Sequence, residues 1–183
     1  MFKKVLTEIA IYYGEIKMPK GFDIDRSILK ASILESKFLF NKRCSDNQKL
    51  YSYEDLQVEH TQPLQSLYDY LREYIYLNFK IELINTLVFG NIYSFNEGSN
   101  TRNLIDNNDL INSNDYTLLY GIDTNDSCEV RIIYDDLRLK DRLETHKLKT
   151  NHFIMFPSKL NYYISKNTQL INNTILTITY QKK

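Results

Sequence analysis

Residues 116–134 read YTLLYGIDTNDSCEVRIIY. Tyr116, Leu118, Tyr120 and Ile122 occur at every second position, and Cys128, Val130, Ile132 and Tyr134 do the same after a polar break. A period of two places each set on one face of a β-strand, and residues 123–127, DTNDS, have a length that suits a hairpin connection. Upstream, residues 83–95, LINTLVFGNIYSF, are apolar on both faces, as in a strand covered from both sides. Downstream come Phe153 to Phe156, then Leu160, Tyr162 and Ile164, then a last strand with Leu176, Ile178 and Tyr180 on one face. Residues 96–115 are rich in Asn, Asp and Ser and read as turns, and residues 135–151 read as a polar connection. At least six strands with no helical segment between the later ones predict an antiparallel sandwich or barrel and argue against a parallel α/β sheet.

The first half carries the helical signals. Asp23 and Asp25 are good cap residues, and Ile24, Ile28, Ala31, Leu34 and Phe38 follow at steps of three and four, predicting a helix over about 25–37. A second helix starts at Pro63, behind Thr61 as a cap, with Leu64, Leu67, Tyr68, Leu71, Ile75 and Phe79 as its apolar stripe. Between them, residues 39–60 are polar and irregular, with one short alternating piece near Leu56 to Glu59. The expectation is one domain over 1–183. A helical part, 1–80, packs on a β core spanning 83–181.

Composition narrows the function. The 183 residues hold 23 Lys plus Arg and 23 Asp plus Glu, so there is no broad basic field for nucleic acid or for an anionic membrane surface. No apolar run is long enough to span a bilayer, and Glu8 and Glu15 interrupt the basic N-terminus before a signal-peptide core can form. Cys44 and Cys128 form no CxxC and no disulfide framework, which is the usage of a reduced compartment such as a cytoplasm. Neither a GxSxG elbow nor a phosphate-cradling glycine loop is present. Cys44, in NKRCSDNQ, is the one cysteine in a charged setting.

His60, His146 and His152 form no HxH, HxD, HxE or HExxH, so no compact zinc set is offered and a structural or solvent-facing role is the reading for each. Asp106, Asp109, Asp115, Asp123 and Asp126 share one Asn-rich zone, but it has neither the Gly nor the Glu of a calcium loop, and turn chemistry accounts for it. The 15 tyrosines fit strand packing first and protein contacts second.

One segment resembles a known family. Residues 151–167, NHFIMFPSKLNYYISKN, followed by residues 174–180, TILTITY, look like the C-terminal part of short 2-oxoglutarate/Fe(II)-dependent dioxygenase-like proteins, including those encoded by large tailed bacteriophages. Upstream, residues 89–93, FGNIY, with Gly98, resemble the strand that leads to that family's HxD or HxH. The resemblance covers about residues 85–181 and implies a double-stranded β-helix, a jelly-roll-like sandwich with helices outside, in agreement with the mostly-β pattern.

The family's site letters are replaced. Leu104 stands where the resemblance puts the first metal histidine, with Asp106 as the carboxylate. Tyr162 stands at the distal histidine and Ile175 at the arginine that holds 2-oxoglutarate. A ferrous triad needs two imidazoles and a carboxylate. The expectation is therefore a scaffold without cofactor, a non-catalytic structural or protein-binding module. Its partners would be proteins, virion components or further copies of itself, as in a neck, tail or fibre-attachment piece in a host cytoplasm or virion. The rival is an active oxygenase using Fe(II) and 2-oxoglutarate through shifted ligands, His152 among them. A remnant pocket in the barrel mouth would be lined by Asp106, Tyr120 and Tyr162.

Overall fold

A computed structural model of the chain describes residues 9–17, 25–43, 56–58, 61–135 and 141–183. Cys44 and His60 lie outside the described residues. The elements run β1 (Tyr12–Glu15), α1 (Arg26–Arg43), β2 (Leu56–Gln57), α2 (Gln62–Phe79), β3 (Leu83–Tyr93), β4 (Tyr116–Asp123), β5 (Glu129–Asp135), β6 (Asp141–Lys147), β7 (His152–Pro157), β8 (Asn161–Ile164) and β9 (Asn173–Lys182). Six strands form a major sheet in the order β1-β7-β4-β9-β3-β2, and three form a minor sheet in the order β6-β5-β8. Every paired neighbour is antiparallel. This is the double-stranded β-helix that the strand pattern and the resemblance led us to expect.

The alternation in β4 and β5 holds, but the hairpin between them does not. β4 pairs with β7 and β9 in the major sheet, whereas β5 pairs with β6 and β8 in the minor one. Residues 124–128 therefore arch from one sheet to the other, tied by Thr124 N–H donating to Thr150 Oγ1 at 3.0 Å and by Leu148 N–H donating to the Cys128 carbonyl at 3.0 Å. Just before the arch, at Gly121 of β4, a Cβ would collide with the backbone carbonyl of Lys149, so only glycine admits that approach. Turn composition alone cannot tell an arch from a hairpin, because both use the same polar residues.

Two apolar layers result. Leu118, Tyr120 and Ile122 of β4, Phe153 and Met155 of β7, and Leu176, Ile178 and Tyr180 of β9 face α1 and α2. Residues of opposite parity on the same strands, Leu119, Ile154, Phe156 and Ile175, face the minor sheet and meet Val130, Ile132, Tyr162 and Ile164. With alternate side chains buried on both faces of one sheet, its central strands read as nearly continuous apolar runs.

α2 buries Leu64, Leu67, Tyr68, Leu71 and Ile75 as its spacing predicts, and it ends at Lys80 in the left-handed conformation. Thr61 occupies the cap position without a side-chain cap hydrogen bond. α1 differs from the expected stripe. Asp25 caps it, accepting from Ser27 and Ile28 N–H at 3.0 and 3.2 Å, but the buried residues are Leu29, Ser32 and Ile33, while Ile28, Leu34 and Phe38 are exposed. Apolar residues occupy both sides of this helix, and the sheet selects the side. Ile33 fills the notch at Gly90 of β3, where a Cβ would lie 2.5 Å from it, and Lys30 pairs with Asp123 at the end of β4.

β6 lies within the stretch 135–151, whose polar composition predicts a connection. Five of its first residues are exposed and it pairs on one side only, so no apolar alternation marks it.

Candidate functional site

The inter-sheet space holds Tyr162 and Ile175, with Leu104 at its edge, three of the four residues to which the resemblance assigns chemistry. β8 lies between β5 and the segment 98–102, which pairs with it through Ser99 N–H to the Ile164 carbonyl at 3.1 Å and reciprocal bonds between Arg102 and Tyr162 at 2.9 and 2.8 Å. That pairing was invisible in a stretch whose composition reads as turns. It sets Arg102 directly opposite Tyr162.

Tyr162 is 1 % exposed, and its ring stands edge-on to Phe156 with centroids 5.1 Å apart. Its hydroxyl accepts a hydrogen bond from Arg102 Nε at 3.2 Å. The Arg102 guanidinium lies 5.2 Å from the centroid of the Phe89 ring and 5.8 Å from that of Tyr162, a cation held against two aromatic faces. Arg102 was not singled out from the sequence, and only its register opposite Tyr162 identifies it. Two buried polar pairs also lie between the strands: Thr177 Oγ1 with Asn91 Oδ1 at 2.9 Å, and Thr117 Oγ1 with Ser158 Oγ at 2.8 Å.

The other expected residues are distributed differently. Leu104 is half-buried against the inter-sheet cluster, and Ile175 is fully within it. Asp106 is exposed on the loop before β4, where its Oδ1 accepts from Asn108 N–H at 2.8 Å and its own N–H donates to Ser113 Oγ at 2.6 Å. Tyr120 is buried on the opposite face of the major sheet, among the helices, and its hydroxyl donates to Asn151 Oδ1 at 2.8 Å. Burial pushes that phenol up to about 12. Asp106, Tyr120 and Tyr162 therefore do not converge. Tyr120 has the parity of the helix-facing set and Tyr162 belongs to the inter-sheet set, so a whole sheet separates them.

The two described histidines, His146 and His152, lie on β6 and at the start of β7. His152 opens β7, four residues before Phe156, or about 13 Å along a strand, and its Nδ1 is 3.0 Å from the Thr150 carbonyl. His146 lies on β6, with its ring 5.2 Å from that of Tyr13 and its Nε2 3.6 Å from Glu144. Among the described residues no three His, Cys, Asp or Glu side chains gather as a metal-binding group. Cys128 is buried in the inter-sheet core, and its thiol is pushed up to about 12 by desolvation, with Glu129 adding to it, which disfavours the nucleophilic thiolate. In the acidic zone Asp106 and Asp109 make local turn bonds, whereas Asp115 accepts from Lys182 N–H at 2.8 Å and Asp123 pairs with Lys30. Asp109 accepts from Asn112, first through the Asn112 side chain and then through its backbone, which holds the carboxyl low. No helix among the described residues is long and apolar enough to cross a membrane.

No family model matches the chain, and no curated protein is similar to it in sequence. Solved structures do share its fold. AviO1 from Streptomyces viridochromogenes Tue57 superposes with a TM-score of 0.62 at 11% identity, covering 94% of this chain and 89% of that one. A Pseudomonas putida prolyl-4-hydroxylase gives 0.59 at 9% identity over 94% and 92% of the two chains. The non-heme alpha ketoglutarate dependent carbocyclase SnoK, from nogalamycin biosynthesis, gives 0.61 at 7% identity over 94% and 79%. At such identities the likeness is one of fold: an oxygenase-like double-stranded β-helix.

Proposed function

We propose that this chain is a non-catalytic binding module on an oxygenase-like scaffold. The observation that carries this reading is the state of Tyr162, buried, packed edge-on against Phe156 and hydrogen-bonded to Arg102. A ferrous 2-oxoglutarate centre calls for two imidazoles and a carboxylate facing one open space. The positions assigned to it by resemblance carry a half-buried Leu104, an exposed Asp106, the buried phenol of Tyr162 and the buried Ile175. Those donors do not fit the metal, and a guanidinium beside the phenol adds positive charge where a dication would need negative ligands. Fold alone leaves function open, since one scaffold hosts many activities.

Proteins, including a second copy of this chain, are the class of ligand that this reading calls for. The resemblance to phage-encoded members makes a virion neck, tail or fibre-attachment component its most specific form.

Calorimetric titration of metal-stripped protein with Mn(II), with and without 2-oxoglutarate, tests the reading. No heat of binding from either is expected. Saturable Mn(II) binding that 2-oxoglutarate tightens would overturn it in favour of an active oxygenase. His152→Ala would then ask whether that histidine is a shifted ligand.

A further inference from the structure

On the outer face of the minor sheet, away from the barrel interior, β8 and the segment 98–102 enclose a cavity of about 490 Å³. Gly98 lets the two backbones close on each other, since a Cβ there would lie 2.8 Å from the Ile164 carbonyl oxygen and 3.0 Å from Lys166 N. Arg131 of β5 lies in register with Tyr163 of β8 on the same wall. Its guanidinium is 5.9 Å from the Tyr163 ring centroid, one terminal nitrogen is 3.5 Å from the Tyr163 hydroxyl, and the other is 3.1 Å from Glu129. Those two contacts use two of the five guanidinium N–H donors, and the buried Nε–H has no partner among the described residues.

The rest of the lining is also donor-rich. Ser99 Oγ accepts Ile164 N–H at 2.7 Å, which leaves its own proton to give. The Tyr163 hydroxyl accepts from Arg131 and likewise keeps a proton to donate. Lys166 adds a second cation, while the nearby carboxylate of Glu129 is engaged by Arg131.

We propose that this cavity is a binding site for the oxyanion group of a small molecule, a phosphate or a carboxylate, received by Arg131, Ser99, Tyr163 and Lys166. A guanidinium already steadied by Glu129 and an aromatic ring presents a pre-set fork to such a group. The volume falls within the range of small-molecule sites. None of the four receiving residues belongs to the inter-sheet core, so the Mn(II) result above leaves the site standing or falling by itself.

The experiment is an amide and aromatic NMR titration of the full chain with inorganic phosphate in one arm and acetate in the other. Saturable shifts at Ser99, Ile164 and the Tyr163 ring are expected in at least one arm, and the arm that responds names the oxyanion. Arg131→Gln should weaken that binding about tenfold with the fold intact by circular dichroism. Lys166→Gln, which removes no contact within the sheet, should weaken it less, and added salt should weaken it in every variant. Absence of saturable shifts in both arms would overturn the proposal. So would binding that neither Arg131→Gln nor Lys166→Gln reduces.

Discussion

Tyr120 and Tyr162 are both shut off from water and both hydrogen-bonded through their hydroxyls, yet they belong to two interiors that share only the backbone of the major sheet. The Tyr120 interior lies between sheet and helices, and α2 supplies five buried side chains to it. The Tyr162 interior lies between the two sheets. It contains aromatic and aliphatic packing around the Arg102–Tyr162 pair, with the Thr177–Asn91 and Thr117–Ser158 pairs beside it. The contrast shows how one sheet can serve two interiors by burying alternate side chains on its two faces. The helix-covered layer draws on side chains of the other parity, so it does not depend on what the inter-sheet layer contains.

Phe153 and Phe156 put that independence to the severest test, since they sit on one strand and face opposite interiors. Phe153→Ala and Phe156→Ala should each cost about 3–5 kcal/mol in urea unfolding. If the layers are separate, the double variant should lose the sum to within about 0.5 kcal/mol; a larger coupling would break the comparison.

Alkaline pH should act next, and on the helix-covered side. Burial raises the phenols of Tyr68, Tyr120 and Tyr180, all in that layer. A phenol kept neutral by the fold stabilises it fully below the ordinary value near 10. Above that value the unfolded chain ionises first, so stability falls by roughly 1.4 kcal/mol per pH unit per tyrosine until the folded-state value is reached. Urea midpoints should therefore drop from about pH 10 upward. Tyr120→Phe should make the drop shallower between about 10 and 12. An unchanged slope in that variant would show that Tyr120 is not held neutral by its surroundings.

The smallest effect sharpens the pair itself. Tyr162→Phe removes a bond from a charged donor and should cost about 1.5–3 kcal/mol, whereas Tyr120→Phe removes a neutral bond to Asn151 and should cost about 1 kcal/mol at neutral pH. Equal losses would mean that the Arg102 contact contributes no more than an ordinary hydrogen bond.

Much of this was legible in the residues. Alternation identified the faces of β4, β5, β8 and β9, because a buried strand cannot hide its period of two. The stripe of α2 was equally plain. β6 escaped because an exposed edge strand has no apolar face to show, and α1 was assigned the wrong face because apolar residues lie on both. The candidate site was legible only in part. The strand ending in Phe156, Pro157 and Ser158 pointed to Tyr162, but Arg102 stood in a stretch that reads as turns.

The sequence by itself determined which residues share a face, since that follows from local backbone geometry and the two-residue period. The tertiary structure alone decided which faces meet. It turned the expected hairpin after β4 into an arch between sheets, separated Tyr120 from Tyr162 by a whole sheet, and brought Arg102 against Tyr162 and Arg131 against Tyr163. Those pairings depend on register between strands distant in the chain, which is set by the summed packing of both layers and leaves no mark in any single segment.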